Sequence, residues 1–433
     1  MRPRFTSAGA LVFRPHLSID FMLDLRDRFA LPSHSGIELR AFTHGLMPRT
    51  VPTMMEAFTR DWQNLGVDAW NSVPNHWMPE SEERVGWWSL PDYLGDAFIA
   101  PLLTAPRGTC IMQPNVHWTV QCLLSAPEPY RDGRTEIVLT EAEFPSVRHS
   151  VRQWAQLRGL RIREIALTED GSVDIDAILE SVGPETAWVF VSHVAFATGA
   201  KIPDGELARL SEASRAMGAH FAVDGYHATG SIDVDVSRLD ADVYFGGLLK
   251  EGCGSSGNAY LYVRPGLDLT PMISGWFGDA DPFAFAAASE AHPQTRRRFL
   301  AGTTAVASLY HAVEGVRILL DAGLGNVRAD SLAKTARCIE AAERMGLPLI
   351  SHREDDLRGA MVVFEAPEAE RLSQYLKTQG VYTDSRRNRY LRLAPFVWNS
   401  TDEVDKAMDS IADNLRSERY RDFEMTRETG PVT

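Results

Sequence analysis

The middle of the chain alternates short apolar runs rich in β-forming residues with amphipathic helical stretches, and this alternation constrains the fold most. Strands separated by helices predict a mostly parallel sheet with both faces covered, and therefore an α/β fold. Helical patterns between the strands include Val147–Leu157 and Asp204–Met217. The predicted strands are Thr109–Gln113, Glu136–Thr140, Arg161–Ile165, Ala187–His193, His220–Asp224, Ala241–Phe245 and Asn258–Val263.

A second, smaller α/β unit is predicted in the C-terminal part of the chain. The segment GTTAVASLYHAVEGVRILLDAGL predicts one long helix that leads away from the central sheet. After it come a helix (Asp330–Arg344), a strand (Ala360–Glu365), a helix (Glu368–Gln379), a strand (Tyr390–Leu393) and a terminal helix. A chain of 433 residues is long enough for two domains. We expect an N-terminal arm (1–60) that contributes to the small domain and the substrate entrance, a large domain (61–325) and a small C-terminal domain (326–433).

Charge and cysteine usage exclude several classes of function. The formal net charge of -14 argues against nucleic-acid binding, which needs a basic surface. No apolar run approaches the roughly 20 residues that a membrane helix requires. The four cysteines are widely scattered without CxxC spacing, so neither a disulfide framework nor a metal site is expected. Reduced thiols of this kind are typical of a cytoplasmic protein.

Polar and aromatic side chains follow the ends of several predicted strands. In parallel sheets with helical crossovers, ligands bind at the carboxyl ends of the strands. Asn115, Phe144, His193, Asp224 and Lys250 each lie at or just past such an end. We therefore expect these side chains to meet along one edge of the sheet.

Lys250 and Asp224 indicate which ligand binds there. Lys250 follows the apolar run ADVYFGGLL and precedes a glycine-serine loop. Desolvation disfavours an ammonium group, and a neutral amine can form a Schiff base with an aldehyde. Asp224 ends the preceding strand, where a carboxylate could pair with a protonated pyridine nitrogen. Together the two residues predict a site for pyridoxal phosphate.

The order of the motifs resembles a known family. RFALP, GLMPR, DWQNLGVDAW, LPDYLGDAFIAPLL, EFPSVRHSV, VDGYHATG, ISGWFGDADPF, FLAGTTAV and GVYTDSRRNRYLRLAP follow one another along the chain. In this order they resemble a fold-type-I pyridoxal phosphate enzyme of the class V aminotransferase group, and within it the kynureninase-like branch. The resemblance implies a large cofactor-binding domain with a mostly parallel sheet and a smaller C-terminal α/β domain.

The resemblance also implies roles for individual residues at the cofactor. Lys250 would be the Schiff-base lysine, Asp224 the partner of the pyridine nitrogen and Phe144 the ring that stacks on the cofactor. His227 would lie near the phosphate or the phenolic oxygen, although a structural histidine is the alternative. His193 is equally compatible with a cofactor neighbour and a core residue. Asn115, Val116 and His117 would form the phosphate-binding turn that opens a helix, where free amides suit anions.

Three further residues concern the substrate and the neighbouring subunit. Trp276 and Thr303 would reach the phosphate from the other subunit, which implies a homodimer with active sites at its interface. Hydrophobic packing is the alternative for Trp276. Arg392 would bind the substrate carboxylate, for which a planar two-pronged donor is well suited. An ion pair between Arg392 and Asp384 is the alternative.

Departures from the kynureninase pattern limit the expected substrate. Val147 stands where the FPSD motif has Asp, and Leu249 stands where a Tyr precedes the lysine. ELRAFTHG (Glu38–Gly45) replaces the early YLDGNSLG motif. Features that hold the cofactor are kept while features that recognise the substrate are not, so we predict that kynurenine is not the substrate.

The predicted function is that of a lyase or hydrolase that cleaves a Cβ bond, C–S or C–C, of a bulky amino acid or a cysteine conjugate. Such a reaction fits specialised, natural-product metabolism. An aminotransferase is the first alternative, and a decarboxylating, oxidatively deaminating or epimerising enzyme is the second. A catalytically silent, cofactor-binding regulatory protein is disfavoured because Lys250, Asp224 and Arg392 are all present.

Overall fold

The computed structural model describes residues 23–32 and 36–425. The strands of these residues are β1 (Phe29–Ala30), β2 (Ile37–Glu38), β3 (Met47–Pro48), β4 (Val73–Pro74), β5 (Arg84–Val85), β6 (Cys110–Gln113), β7 (Glu136–Thr140), β8 (Arg161–Ile165), β9 (Thr186–Ser192), β10 (His220–Asp224), β11 (Val243–Gly247), β12 (Ala259–Val263), β13 (Val362–Glu365), β14 (Val381–Tyr382), β15 (Asp384–Arg386) and β16 (Tyr390–Leu393). The α-helices are α1 (Val51–Leu65), α2 (Leu90–Leu94), α3 (Ala100–Leu102), α4 (Val116–Ser125), α5 (Pro145–Arg158), α6 (Ile175–Ser181), α7 (Asp204–Ala216), α8 (Val236–Leu239), α9 (Val306–His311), α10 (Glu314–Ala322), α11 (Leu324–Arg344), α12 (Ala369–Thr378) and α13 (Thr401–Ser417).

The central sheet has the strand order β6-β12-β11-β10-β9-β7-β8. Strands β8, β7, β9, β10 and β11 pair in parallel, whereas β12 runs antiparallel to both β11 and β6. Every residue of β7 and β9 is buried, as expected for strands covered by helices on both faces. The predicted α/β fold with a mostly parallel sheet is therefore confirmed, with β12 as the reversed strand.

The prediction of one long helix from Gly302 to Leu324 is wrong. The segment forms two helices, α9 and α10, which are interrupted before Glu314. Glycines allow the loop after Lys250 to approach this break closely: a Cβ on Gly315 would lie 2.3 Å from the Gly252 carbonyl oxygen. A Cβ on Gly254 would likewise lie 2.2 Å from the Ala312 carbonyl oxygen. The helix is thus interrupted at the place where the loop after Lys250 packs closely against it.

A smaller antiparallel sheet, in the order β13-β16-β15, forms the centre of the C-terminal part. Strand β2 pairs in parallel with β14, so that Ile37 lies opposite Val381 and the N-terminal arm joins this part of the molecule. Helix α13 begins with a capping box in which Ser400 and Glu403 each bond the other's backbone. The domain limits at 61 and 326 stay predictions.

Within the described part of the chain, every helix is too short or too polar to cross a lipid bilayer.

Candidate cofactor site

A cavity of about 290 Å³ lies at the carboxyl edge of the central sheet. Its walls come from the segments that follow β6, β7, β9, β10 and β11, as the strand-end argument predicts. The lining residues are Asn115, Val116, His117, Phe144, Ser146, Val147, Ser192, Val194, Phe196, Asp224, Tyr226, His227, Leu249 and Lys250. Most residues predicted to hold the cofactor are thus brought together in one place.

Lys250 lies on the loop after β11 with its amine among aromatic rings. Its Nζ is 2.7 Å from His227 Nε2, 4.5 Å from the centre of the Tyr226 ring and 5.7 Å from that of Phe144. Burial lowers the pKa of Lys250 to about 8, against the raising influence of Glu251 and Asp224. A substantial fraction of this amine is therefore neutral near physiological pH, as a nucleophile requires.

His227 is neutral in this environment. Burial, followed by the nearby charges of Lys250 and Arg392, holds the pKa of His227 well below its ordinary value. An unprotonated ring nitrogen is a hydrogen-bond acceptor, so His227 Nε2 can accept from the Lys250 amine. The ring therefore orients the amine without adding a positive charge to the cavity.

Asp224 ends β10 and is only 5% exposed. Its Oδ1 accepts a hydrogen bond from the Tyr226 backbone N–H at 2.8 Å. Burial raises the pKa of Asp224 to about 6, while the Tyr226 N–H and the Lys250 charge act in the opposite direction. A buried carboxylate of this kind is stabilised when a cationic ring nitrogen pairs with it.

The N-terminus of α4 faces the same cavity. Asn115 is the N-cap residue, and its side chain accepts the Trp118 backbone N–H at 2.8 Å. The free amides of the first turn, at Val116 and His117, are suited to a phosphate group. His117 Nδ1 lies 3.2 Å from Ser150 Oγ, which holds the imidazole beside this turn.

Phe144 precedes α5 and leaves 45% of its surface exposed, although it is a large apolar residue. Its ring meets Phe196 edge to face, with a centroid distance of 5.3 Å. An apolar face left open to a cavity beside Lys250 fits a flat aromatic ligand. The donors, the carboxylate, the amine and this ring together fit pyridoxal phosphate.

Both departures from the kynureninase motifs lie in the cavity wall. Val147 and Leu249 both line the cavity that contains Lys250. Val147 is 1% exposed, and Leu249 directly precedes the lysine. Where the kynureninase pattern has a carboxylate and a phenol, this wall has two aliphatic side chains.

His193 and Arg392 lie outside the lining of this cavity. His193 is fully buried, with Nδ1 3.0 Å from the Tyr244 hydroxyl, which supports the core alternative. Arg392 forms a buried ion pair with Asp384, the alternative given above. Its Nη1 also donates to the Phe196 carbonyl oxygen at 3.0 Å.

Trp276 and Thr303 are likewise absent from the residues that line the cavity of the same chain. Trp276 is 41% exposed, donates from Nε1 to the Pro282 carbonyl and stacks on Phe285 at a centroid distance of 5.9 Å. Thr303 is exposed. Neither residue reaches the cavity within one chain, so the roles inferred for them require a second subunit.

Sequence reasoning missed several residues of the wall. Tyr226 and Phe196 are the aromatic ones, and Ser192 is the polar one at the end of β9. Tyr226 lies between Asp224 and His227, so its position beside two predicted residues was an available signal. Phe196 follows a strand by several residues, and only the folded loop brings it to Phe144.

The chain is similar to known proteins in both sequence and fold. Residues 120–385 match the family described as Aminotransferase class-V. The kynureninase of Pseudomonas fluorescens is 28% identical over 387 residues, covering 86% of this chain and 87% of the relative. The kynureninase of Burkholderia pseudomallei (strain K96243) is 27% identical, with 93% and 94% covered.

Solved structures share the fold at lower sequence identity. A cysteine desulfurase from Thermococcus onnurineus NA1 superposes with a TM-score of 0.75 at 18% identity, covering 90% of this chain and 97% of that chain. A cystine C–S lyase in complex with cysteine persulfide has a TM-score of 0.73 at 19% identity, covering 88% and 98%. The predicted fold type I and the predicted cofactor, pyridoxal phosphate, are confirmed. Because the family match covers more than half of the sequence, the chain belongs to the class V aminotransferase family.

Proposed function

We propose that this class V pyridoxal phosphate enzyme is a lyase that cleaves a C–S or C–C bond at Cβ of a bulky amino acid or cysteine conjugate. The observation that carries the proposal is a Lys250 amine of lowered pKa held 2.7 Å from a neutral His227, in the same cavity as Asp224. Relatives described as kynureninases and a structural neighbour described as a cystine C–S lyase support cleavage on the side-chain side.

Different lining residues would bind different parts of the cofactor. With pyridoxal phosphate bound, Lys250 would hold the aldehyde, Asp224 would pair with the ring nitrogen, Phe144 would cover the ring, and the first turn of α4 would hold the phosphate. When bound, pyridoxal phosphate supplies an electron sink that stabilises negative charge at the substrate Cα.

Lys250 then acts on protons at that carbon. As a free amine, Lys250 would serve as the base at this carbon, and its pKa of about 8 suits proton transfer near neutral pH. His227 accepts a hydrogen bond from this amine and keeps its lone pair directed into the cavity. In C–S cleavage the protonated amine would give its proton to the leaving thiolate; in C–C cleavage, where water takes up the acyl fragment, it would return the proton to the substrate carbon.

Aliphatic and aromatic contacts select the substrate side chain. Val147, Leu249 and Phe196 form an apolar part of the wall, which favours an apolar or sulfur-containing substituent over the polar aniline of kynurenine. Leu249 stands directly before Lys250 where the kynureninase pattern has a tyrosine, so this position supplies no proton donor and a good leaving group at Cβ is favoured.

Arg392 remains the candidate for the substrate carboxylate. It is buried and paired with Asp384, and its Nη1 contacts the backbone of Phe196 in the cavity wall. A substrate carboxylate must therefore share the guanidinium with Asp384.

We propose a homodimer in which Trp276 and Thr303 complete the phosphate site of the neighbouring subunit. Exposed aromatic rings around Trp276 support this, since Phe283 is 60% and Phe285 75% exposed. A cytoplasmic location is proposed on the four free thiols, all of which are buried.

An assay of cysteine conjugates and arylalanines for pyruvate and alanine, with and without a keto acid, tests the reaction. The lyase proposal predicts pyruvate or alanine without any keto acid. Strict dependence on the keto acid would establish the aminotransferase alternative, which the family description favours. Release of carbon dioxide without the keto acid would favour decarboxylation.

Lys250→Ala should abolish turnover and the visible absorbance of bound cofactor. Lys406→Ala, which removes an exposed lysine from α13, is the matched control and should leave both unchanged.

A further inference from the structure

Glu143 is a completely buried carboxyl group next to the cofactor cavity, and the proposed reaction gives it no role. It is 0% exposed and lies on the turn between β7 and Phe144. Burying a carboxyl group is costly unless its oxygens find hydrogen-bond partners. The partners of Glu143 therefore indicate what its burial achieves.

Each oxygen of Glu143 meets one hydroxyl group. Thr140 Oγ1 lies 3.0 Å from Oε1, and Ser192 Oγ lies 2.8 Å from Oε2. Thr140 Oγ1 donates its hydrogen to Glu143 and also accepts the Ala142 backbone N–H at 3.2 Å. The hydrogen bond between Glu143 and Ser192 connects the turn that carries Phe144 to the end of β9.

Ser192 connects this carboxyl group to the cofactor cavity. It is the last residue of β9, lines the cavity and stands opposite Asp224 in the β9–β10 pairing. Burial, reinforced by the negative charge of Asp224, raises the pKa of Glu143 to about 8. The Ser192 hydroxyl donates to Oε2 when Glu143 is ionised; when Glu143 is protonated and accepts the Thr140 hydrogen at Oε1, a proton on Oε2 would instead be donated to Ser192 Oγ. The hydrogen of the Ser192 hydroxyl is then free to point into the cavity.

We propose that Glu143, as a neutral acid, is a positioning residue of the pyridoxal phosphate site. By donating to Ser192 it directs the Ser192 hydroxyl into the cavity as a donor to the cofactor, and it fixes the turn that presents Phe144. Because Glu143 is neutral, the negative charge at this edge of the sheet stays on Asp224. The inference rests on the cofactor and is independent of the lyase reaction.

Affinity of the apo-protein for pyridoxal phosphate, measured by quenching of tryptophan fluorescence, tests the proposal. Glu143→Gln keeps a donor toward Ser192 and an acceptor toward Thr140 without a charge, so its Kd should stay within about twofold of the wild type. Glu143→Leu keeps the bulk but loses both hydrogen bonds, and its Kd should rise about tenfold or more. Ser192→Ala should raise the Kd by about three- to tenfold. The two losses should overlap in the double variant, because Glu143 acts through Ser192.

Readouts independent of activity complete the test. The infrared difference spectrum of wild type minus Glu143→Gln should contain the carbonyl band of a protonated carboxylic acid. Thermal unfolding of each apo variant separates folding defects from cofactor binding. If Glu143→Leu does not fold, the infrared band and the Kd of Ser192→Ala for pyridoxal phosphate test the proposal in its place.

A Glu143→Gln variant that binds as weakly as Glu143→Leu would overturn the proposal, since a charge would then be required. An absent acid band, or a wild-type Kd in Ser192→Ala, would overturn it as well. Failure of the lyase assay with normal cofactor binding leaves this inference intact and refutes only the reaction.

Discussion

The Lys250 amine and the His227 imidazole lie 2.7 Å apart, and burial lowers the pKa of both groups. Two cations at this distance would repel each other strongly, so at most one can be charged. The imidazole has the lower pKa and is the neutral partner, which leaves the amine as the group whose protonation controls cofactor capture.

Capture of pyridoxal phosphate by the apo-protein should therefore depend on pH through Lys250. The rate, followed as the rise of visible absorbance, should increase as pH rises toward about 8 and level off above it. His227→Leu removes the acceptor that stabilises the ammonium form, so the profile should shift to lower pH. His227→Gln, which retains an acceptor, should shift less. Identical profiles for the wild type and His227→Leu would contradict the assigned hydrogen bond.

Lys250 should destabilise the apo-protein at neutral pH. Its folded pKa of about 8 is below the ordinary 10.5, so the unfolded chain binds more protons between these values and stability rises with pH across them. Lys250→Met should stabilise the apo-protein by about 1–3 kcal/mol below pH 8. This gain should shrink as pH approaches 10.5. Thermal unfolding at neutral and alkaline pH measures the difference, and an equal or lower unfolding temperature at pH 7 would count against a desolvated amine.

Asp224→Asn should have opposite effects on stability and on cofactor binding. On folding, the pKa of the Asp224 carboxyl rises from 3.8 to about 6. The ionised carboxylate therefore destabilises the folded protein fully above pH 6, and this destabilisation disappears below pH 3.8. The Asn side chain can still accept the Tyr226 N–H, so the apo-protein should gain about 1–3 kcal/mol at pH 7. Affinity for pyridoxal phosphate should fall, because a neutral amide stabilises a protonated ring nitrogen less than a carboxylate does. Chemical denaturation and cofactor titration check the two effects separately, and a parallel loss in both would indicate a purely structural Asp224.

The sequence predicts those parts of the fold and site that depend on local pattern. Strands β7, β8 and β10 begin and end at the predicted residues, and Gly159 and Gly218 lie two residues before β8 and β10. Lys250 and Asp224 are found in the predicted cavity because the carboxyl ends of parallel strands meet at one edge.

What the sequence could not predict depends on contacts between distant segments. The position of His193 against Tyr244 and the pairing of Arg392 with Asp384 follow from side-chain directions that spacing does not fix. The interrupted helix before Glu314 likewise depends on a loop that is more than fifty residues away in sequence.

Gly315→Ala should disturb the lysine loop although Ala normally favours a helix. The added Cβ would lie 2.3 Å from the Gly252 carbonyl oxygen, so either α10 or the loop carrying Lys250 must move. We expect a loss of about 1–3 kcal/mol in apo stability, as for overpacked cores, together with weaker cofactor binding. Gly205→Ala in α7 is the matched control, because a Cβ there meets nothing within 4 Å, and it should stabilise the protein by about 0.5–1 kcal/mol. Denaturant unfolding and cofactor titration of both variants measure these effects. A Gly315→Ala protein that gains stability like the control would mean that the close approach of the loop to α10 does not position Lys250.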